Sequence, residues 1–341
     1  MRKTKAVNIG AIALLALVSA ASAQERQVSV RISNFNPPQH PLSVALTAWA
    51  NDVEKASNGS IKPQLFHAQQ LGKAFDQYDM VRDGIADFAY VVPGYQPGRF
   101  PIIAAAELPF ILTSGTSGTV GVDQWYRKYA ESELKDVRYC FAFVAEPGTF
   151  HSRSKEIKLP SDLQGAKVRP AQATVAAWVA SLGGTNVQAA APEARDIIEK
   201  GVADVIAWPY GSLLQFGIDK FTKLHVDAPL FSTAFVFVMS KKVYAGFSEN
   251  QRAVVDAHCN SDAARRIGKQ WADYESAGEK TLRGRADQKF IPLTPESLKQ
   301  WRTSSEPLVA KWKDGVRAGG GNPDEVMAEL RSSLGKVGAA Y

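Results

Sequence analysis

An α/β fold of two lobes is predicted by three observations on this 341-residue chain. Short apolar strands alternate with helix-period stretches through its first two thirds, an order that builds mainly parallel sheets flanked by helices. From Ser248 the pattern turns helical and stays so. Setting aside residues 1–23 as an address leaves about 318 residues, enough for two lobes of ordinary domain size.

The address is read from Arg2, Lys3 and Lys5, an apolar run from Ala11 to Val18, and Ala21-Ser22-Ala23 before Gln24. The run is shorter than the ~20 residues a spanning helix needs, and no later segment is long and apolar enough. An exported, periplasmic, soluble product is therefore expected. The net charge of +6 falls to about +3 without residues 1–23. Basic residues form no dense patch interleaved with aromatics, so nucleic acid is not an expected partner. CxxC and HExxH are absent and the five histidines are scattered, so neither a metal nor a cofactor is expected. Cys140 and Cys259 are compatible with a disulfide in an oxidising compartment, and equally with two buried thiols.

Each element has its own signal. Gln27–Ser33 alternates through Val28, Val30 and Ile32 and reads as a strand. After the loop Asn34-Phe35-Asn36-Pro37-Pro38, helical spacing of Leu42, Ala45, Leu46, Trp49 and Val53 runs from His40 to Ala56, ending at Asn58-Gly59. Ile61–Phe66 is a second strand, Phe75–Arg82 a helix, and Phe88–Val92 an apolar strand ended by Pro93-Gly94. The middle repeats the order: strand Val137–Ala145, helix Gln172–Leu182, short strand Asn186–Gln188, helix Pro192–Lys200 capped by Gly201, and strand Ala203–Trp208. Phe235–Met239 is a continuous apolar strand. Ser248 with Gln251 forms a capping box, and Val254, Val255, Ala264, Ile267, Trp271 and Ala277 give one apolar face. That predicts a single helix from Ser248 to about Arg285, ~55 Å long and able to serve both lobes. Thr294–Ala318 and Asp324–Val337 read as outer helices.

The most informative stretch is Leu159–Pro170. A helical turn over Pro160–Gln164 ends at Gly165, Ala166 and Val168 lead a buried strand, and Pro170 stops it before the next helix. Arg169 thus sits at the carboxyl end of a strand, where open α/β sheets bind ligands. Its planar fork of donors matches a carboxylate. A salt-bridged surface arginine is the other reading of that position.

Several short motifs in order carry a resemblance. They are Asn58-Gly59-Ser60-Ile61, Leu65-Phe66, Gln69-Gln70-Leu71-Gly72, Gly84-Ile85-Ala86-Asp87, Leu108-Pro109-Phe110, the Leu159–Pro170 segment and Gly201-Val202-Ala203-Asp204. Together they resemble the solute-binding proteins of tripartite ATP-independent periplasmic (TRAP) transporters of the DctP type. The resemblance implies a type II periplasmic-binding-protein-like fold: two α/β lobes, a hinge, and a long helix near the C-terminus spanning both. It implies lobe I at 24–146 and 235–274, and lobe II at 147–234 and 275–341, with both cysteines in lobe I. It further implies capture of a carboxylate ligand by a monomer, delivery to TRAP membrane permease subunits, and Arg169 as the carboxylate anchor.

Departures from the family pattern shape the expected pocket. Trp208 and Ser240 stand about where many relatives have asparagine, and His151 or Arg153 about where some have a second basic group. Phe150, His151, Trp208 and Tyr210 are expected near the ligand from lobe II, and Phe35, Gln70, Tyr90 and Tyr95 from lobe I. Aromatic walls with one arginine suit a monocarboxylate with a flat or apolar body. Two other functions use the same fold: a ligand sensor for a membrane receptor or kinase, and an exported hydrolase or lyase. The last needs a paired acid and base, for which Glu107, Glu146 and His151 are the candidates.

Overall fold

The computed structural model describes residues 25–341, so the address over residues 1–23 lies outside the described residues. The first lobe begins with β1 (Val28–Ser33), α1 (Pro41–Ala56), β2 (Ile61–Phe66), α2 (Gln77–Arg82) and β3 (Phe88–Val91). It continues through α3 (Gly115–Tyr126), α4 (Ala130–Glu133) and β4 (Val137–Val144). The second lobe follows as β5 (Thr149–Ser152), β6 (Lys167–Arg169), α5 (Ala173–Ser181), β7 (Thr185–Asn186), α6 (Ala194–Glu199), β8 (Val205–Trp208), α7 (Tyr210–Gln215) and β9 (Leu224–Asp227). The chain returns as β10 (Ala234–Ser240), α8 (Lys241–Ala245), α9 (Glu249–His258) and α10 (Ser261–Arg283), then ends in β11 (Lys289–Pro292), α11 (Pro295–Ala318) and α12 (Pro323–Lys336).

Two sheets result. The first has the order β2-β1-β3-β10-β4 and the second β11-β9-β5-β8-β6-β7. In each, the strand that arrives from the other lobe runs against its neighbours: β10 is antiparallel to β3 and β4, and β5 to β8 and β9. This follows from chain direction, because a strand entering across the hinge starts at the edge where the resident strands end. The crossing segments are tied together where Gly148 N–H donates to Phe231 O at 2.7 Å and Leu230 N–H to Gly148 O at 3.0 Å. Strands β3 and β10 are buried along their whole length, which accounts for their unbroken apolar runs.

The predicted helix from Ser248 to Arg285 is two helices. Cys259 leaves helical geometry and the Asn260 side chain accepts from Ala263 N–H at 2.9 Å, capping a fresh start. A capping residue inside an apolar-periodic run is easily read through, because it leaves the period on either side intact. The remaining 23 residues of α10 still span both lobes, at ~35 Å. They pack on α1, α3 and β4 of the first lobe and on α7 of the second. At the second contact a Cβ on Gly278 would lie 2.3 Å from Gly211 Cα, so the helices touch backbone to backbone and only glycine fits.

The C-terminal segment also departs from the expected division, which gave all of 275–341 to the second lobe. Helix α11 begins there, with Trp301 stacked on Phe150. It ends against the first, with Trp312 Nε1 donating to Pro101 O at 2.7 Å. Helix α12 packs on α3, and Ser333 Oγ donates to Gly121 O at 2.7 Å. The apolar stripe of an amphipathic helix states that it is covered, and leaves open which lobe covers it.

Cys140 on β4 and Cys259 after α9 are joined by a disulfide that closes a loop of sequence separation 119, which contains β5 to β9 of the second sheet but not β11. Such a link stabilises mainly by restricting the unfolded chain, with long loops giving the larger effect. The double variant Cys140→Ala/Cys259→Ala is expected to lose about 2–4 kcal/mol in urea unfolding while keeping its ligand affinity.

Candidate functional site

The strands of the second sheet place one arginine. β6 and β8 are parallel, with Arg169 level with Ile206, so the carboxyl ends of both strands share one edge. Arg169 ends β6 and Trp208 ends β8, and the guanidinium lies over the indole ring at 4.4 Å from its centroid. Arg169 is only 2% exposed. Its Nε donates to Ala189 O at 3.0 Å and its Nη2 to Tyr95 Oη at 3.4 Å. No carboxylate forms an ion pair with it among the described residues. Burial works against its charge, partly offset by Tyr95 and more distantly by Glu193. A guanidinium does not deprotonate in proteins, so the charge remains and lacks a counter-ion.

Tyr95 crosses between the lobes. Its hydroxyl oxygen accepts from Arg169 and from Ala191 N–H at 3.0 Å, which leaves its own hydrogen free to donate. Gln69 Nε2 donates to Glu193 Oε1 at 3.4 Å in a second cross-lobe contact. With Arg169, Trp208 and Tyr95 all under one tenth exposed, the lobes stand closed.

Around Arg169 lies a small cavity between the lobes. Phe35, Tyr90 and Phe235 line it from the first lobe, Trp208 and Phe216 from the second, and Trp271 from the spanning helix α10. Its polar lining includes His40, Asn36, Tyr90 and Tyr95, and no aspartate or glutamate. Tyr90 Oη is fully buried without a hydrogen bond.

The expected site residues divide. Arg169, Trp208, Tyr95, Phe35 and Tyr90 line the cavity. Phe150 does not: it points to the opposite face of β5, against Trp178, Trp301 and Phe231. His151 is also outside the lining. It is completely buried, with Nε2 2.8 Å from Trp208 O and Nδ1 2.8 Å from His225 Nδ1. Burial and the nearby His225 hold it well below the usual histidine range, so it braces the strand behind Trp208 as a neutral ring. Tyr210 turns into the same cluster, stacked on Phe290 and donating to Val226 O at 2.9 Å. Gln70 is exposed on its loop. Arg153 donates to Ile198 O, and Ser240 caps α8 at the end of β10 away from the hinge.

Glu107 and Glu146, the two carboxylic candidates for acid–base work, also lie outside the lining. Glu146 accepts from Gly115 N–H at 2.8 Å. Glu107 accepts from Ala234 N–H at 3.3 Å at the start of the hinge-exit strand. Reasoning from sequence missed His40, Phe216, Phe235 and Trp271. Phe235 opens a recognised strand, but His40, Phe216 and Trp271 come from distant parts of the chain and carry no local mark of a site. No group of His, Cys, Asp and Glu that could hold a metal occurs among the described residues, and none of their helices is long and apolar enough to cross a membrane.

The chain matches the family model described as bacterial extracellular solute-binding protein, family 7 (DctP), over residues 32–314. It belongs to that family. Its architecture is similar to a marine-metagenome TRAP solute-binding protein specific for aromatic acid ligands, solved with 3-hydroxybenzoate, at 28% identity and TM-score 0.85 over 92% of this chain and 99% of that one. It is similar at 25% identity and TM-score 0.85 to a TRAP solute-binding protein from Rhodoferax ferrireducens T118 holding copurified benzoate, over 92% of this chain and 99% of that one. A Bordetella bronchiseptica counterpart with bound (R)- and (S)-mandelate matches at 25% and 0.85 over 91% and 99%. The protein is thus a solute-binding protein of the TRAP type.

Burial pushes the Glu107 carboxyl up to about 8. The folded protein therefore holds this proton more tightly than the unfolded chain does. Stability is full below the ordinary value of 4.5 and falls as pH rises through the window from there to about 8. Glu107→Gln, a neutral isostere, should remove this contribution, raising the slope of unfolding free energy against pH between 5 and 8 by on the order of 1 kcal/mol per pH unit relative to the wild type in pH-dependent melts.

Proposed function

We propose that this TRAP solute-binding protein captures a bulky, aromatic monocarboxylic acid in the periplasm and delivers it to its membrane permease. One observation carries the reading: a closed aromatic cavity contains a buried arginine with no counter-ion. A buried cation is costly alone and favourable once a carboxylate meets its free donors, Nη1 and the remaining Nη2 hydrogen. Tyr95 Oη–H adds a third donor, and the aromatic walls accept a flat apolar body. The absence of acids from the lining supports an anion, and the single arginine supports one carboxylate. The benzoate, 3-hydroxybenzoate and mandelate held by similar proteins fit the same description.

Capture proceeds without chemistry on the ligand. In the open form Arg169 and Trp208 present the anion site on the second lobe. The lobes then close about the two crossing segments, and Tyr95 reaches across to the guanidinium and to Ala191 N–H. The closed form, populated in proportion to ligand affinity, is the one that docks on the permease. Glu107 and Glu146 lie outside the cavity lining, which supports binding over hydrolysis or elimination.

Thermal shift with benzoate, phenylacetate, succinate and malate tests the ligand class. The aromatic acids should stabilise by about 2–3 kcal/mol at a hundredfold excess over Kd, and the dicarboxylates by less. Stabilisation by succinate or malate alone would refute the aromatic reading. Arg169→Met should lower calorimetric affinity at least about 100-fold, while the free protein melts at the same or a higher temperature because an unpaired buried charge is gone.

A further inference from the structure

His40 caps helix α1, and this role fixes its proton. Its Nδ1 accepts from Leu42 N–H at 3.1 Å, with Asn36 Nδ2 a further 3.5 Å contact. A backbone N–H can only donate, so Nδ1 is bare and the ring hydrogen sits on Nε2. The ring is 2% exposed, and burial pulls its pKa down to about 3, so it stays neutral. Nε2–H has no acceptor among the described residues, and His40 lines the cavity. The ring lies 5.9 Å from both Phe216 and Trp271, centroid to centroid. Phe216 in turn lies 5.2 Å from Trp208, the ring beneath Arg169. One wall therefore carries the anion donor at one end and a neutral, fixed donor two aromatic side chains away. Tyr90, on the same cavity lining, carries a buried hydroxyl without a hydrogen bond.

We propose that His40 is a specificity-determining residue whose Nε2–H donates to an oxygen substituent on the ligand's ring, at the end remote from the carboxylate. The preferred ligands are then hydroxy- or oxo-substituted aromatic acids. A buried donor left without an acceptor costs more than an ordinary hydrogen bond gains, so the unsubstituted acid binds more weakly. An amino substituent is a poor acceptor and does not replace the oxygen. This inference rests on the aromatic-acid reading above.

Calorimetry with benzoate, 3-hydroxybenzoate, 4-hydroxybenzoate and 3-aminobenzoate tests it. The wild-type protein should prefer one hydroxybenzoate over benzoate by about ten-fold, with 3-aminobenzoate no better than benzoate. His40→Asn keeps a capping side chain but is too short to reach the cavity, and His40→Phe keeps the ring without the donor. Both should bind benzoate and bring the hydroxybenzoate preference to within two-fold. A preference that survives in both variants, or a wild-type protein that does not distinguish the acids, overturns the proposal. An Nδ1–H tautomer of His40 in ¹⁵N NMR overturns it as well. A wild-type protein that binds none of these acids refutes the underlying aromatic-acid reading, and shows this before any variant is made.

Discussion

A guanidinium cannot shed its charge, and in this protein it sits where water hardly reaches. Arg169 uses two of its nitrogens on neutral oxygens, Ala189 O and Tyr95 Oη, and keeps the rest free. Neither contact compensates the charge. In the proposed function the missing partner arrives as part of the ligand, and the arginine serves as both anchor and condition for closure. Closing over an empty site buries an unpaired cation, and closing over a carboxylate buries a pair with bidentate geometry. That difference couples ligand capture to lobe position without any separate switch.

The fold serves this one contact. Parallel β6 and β8 bring Arg169 and Trp208 to the same edge, and the antiparallel β5 behind them supplies His151, whose Nε2 meets the Trp208 carbonyl. The spanning helix α10 contributes twice. Trp271 forms part of the cavity wall, and buried Glu275 accepts from Ser212 N–H at 2.9 Å at the start of α7. Burial pushes the Glu275 carboxyl up to about 7, offset in part by hydrogen bonds from Ser212 and from Trp271 Nε1 at 2.9 Å. Hinge, wall and brace are thus one continuous structure.

What the sequence disclosed follows from the range of each interaction. Arg169 and Trp208 were legible because a strand stopped by proline is a local signal, and the end of a strand has a known relation to ligands. Phe150 and His151 lie near the same edge in sequence, but β5 pairs antiparallel and alternates faces, sending Phe150 to the tryptophans and His151 to the histidine behind Trp208. Tyr210 opens α7 facing His225 and Phe290, and Gln70 belongs to an exposed loop. His40, Phe216 and Trp271 carry no local mark of a site. A capping histidine, a helix-end phenylalanine and a mid-helix tryptophan become neighbours only through contacts between distant parts of the chain.

The lining is unbalanced in a way that bears on selectivity. Arg169, Tyr95, Tyr90 and His40 all have donor capacity left over, and no carboxylate faces them. In a closed aromatic cavity each unmet donor carries a desolvation cost that only a ligand acceptor removes. The acid that fits best is therefore the one whose oxygens reach most of these donors at once, with an apolar ring between them. A small dicarboxylate meets the cation but leaves the aromatic walls and the far donors without partners. A plain aromatic acid fills the walls and leaves His40 unmet. Selectivity in such a pocket is set by what remains unsatisfied after closure, and that quantity differs among ligands that share the same carboxylate contact.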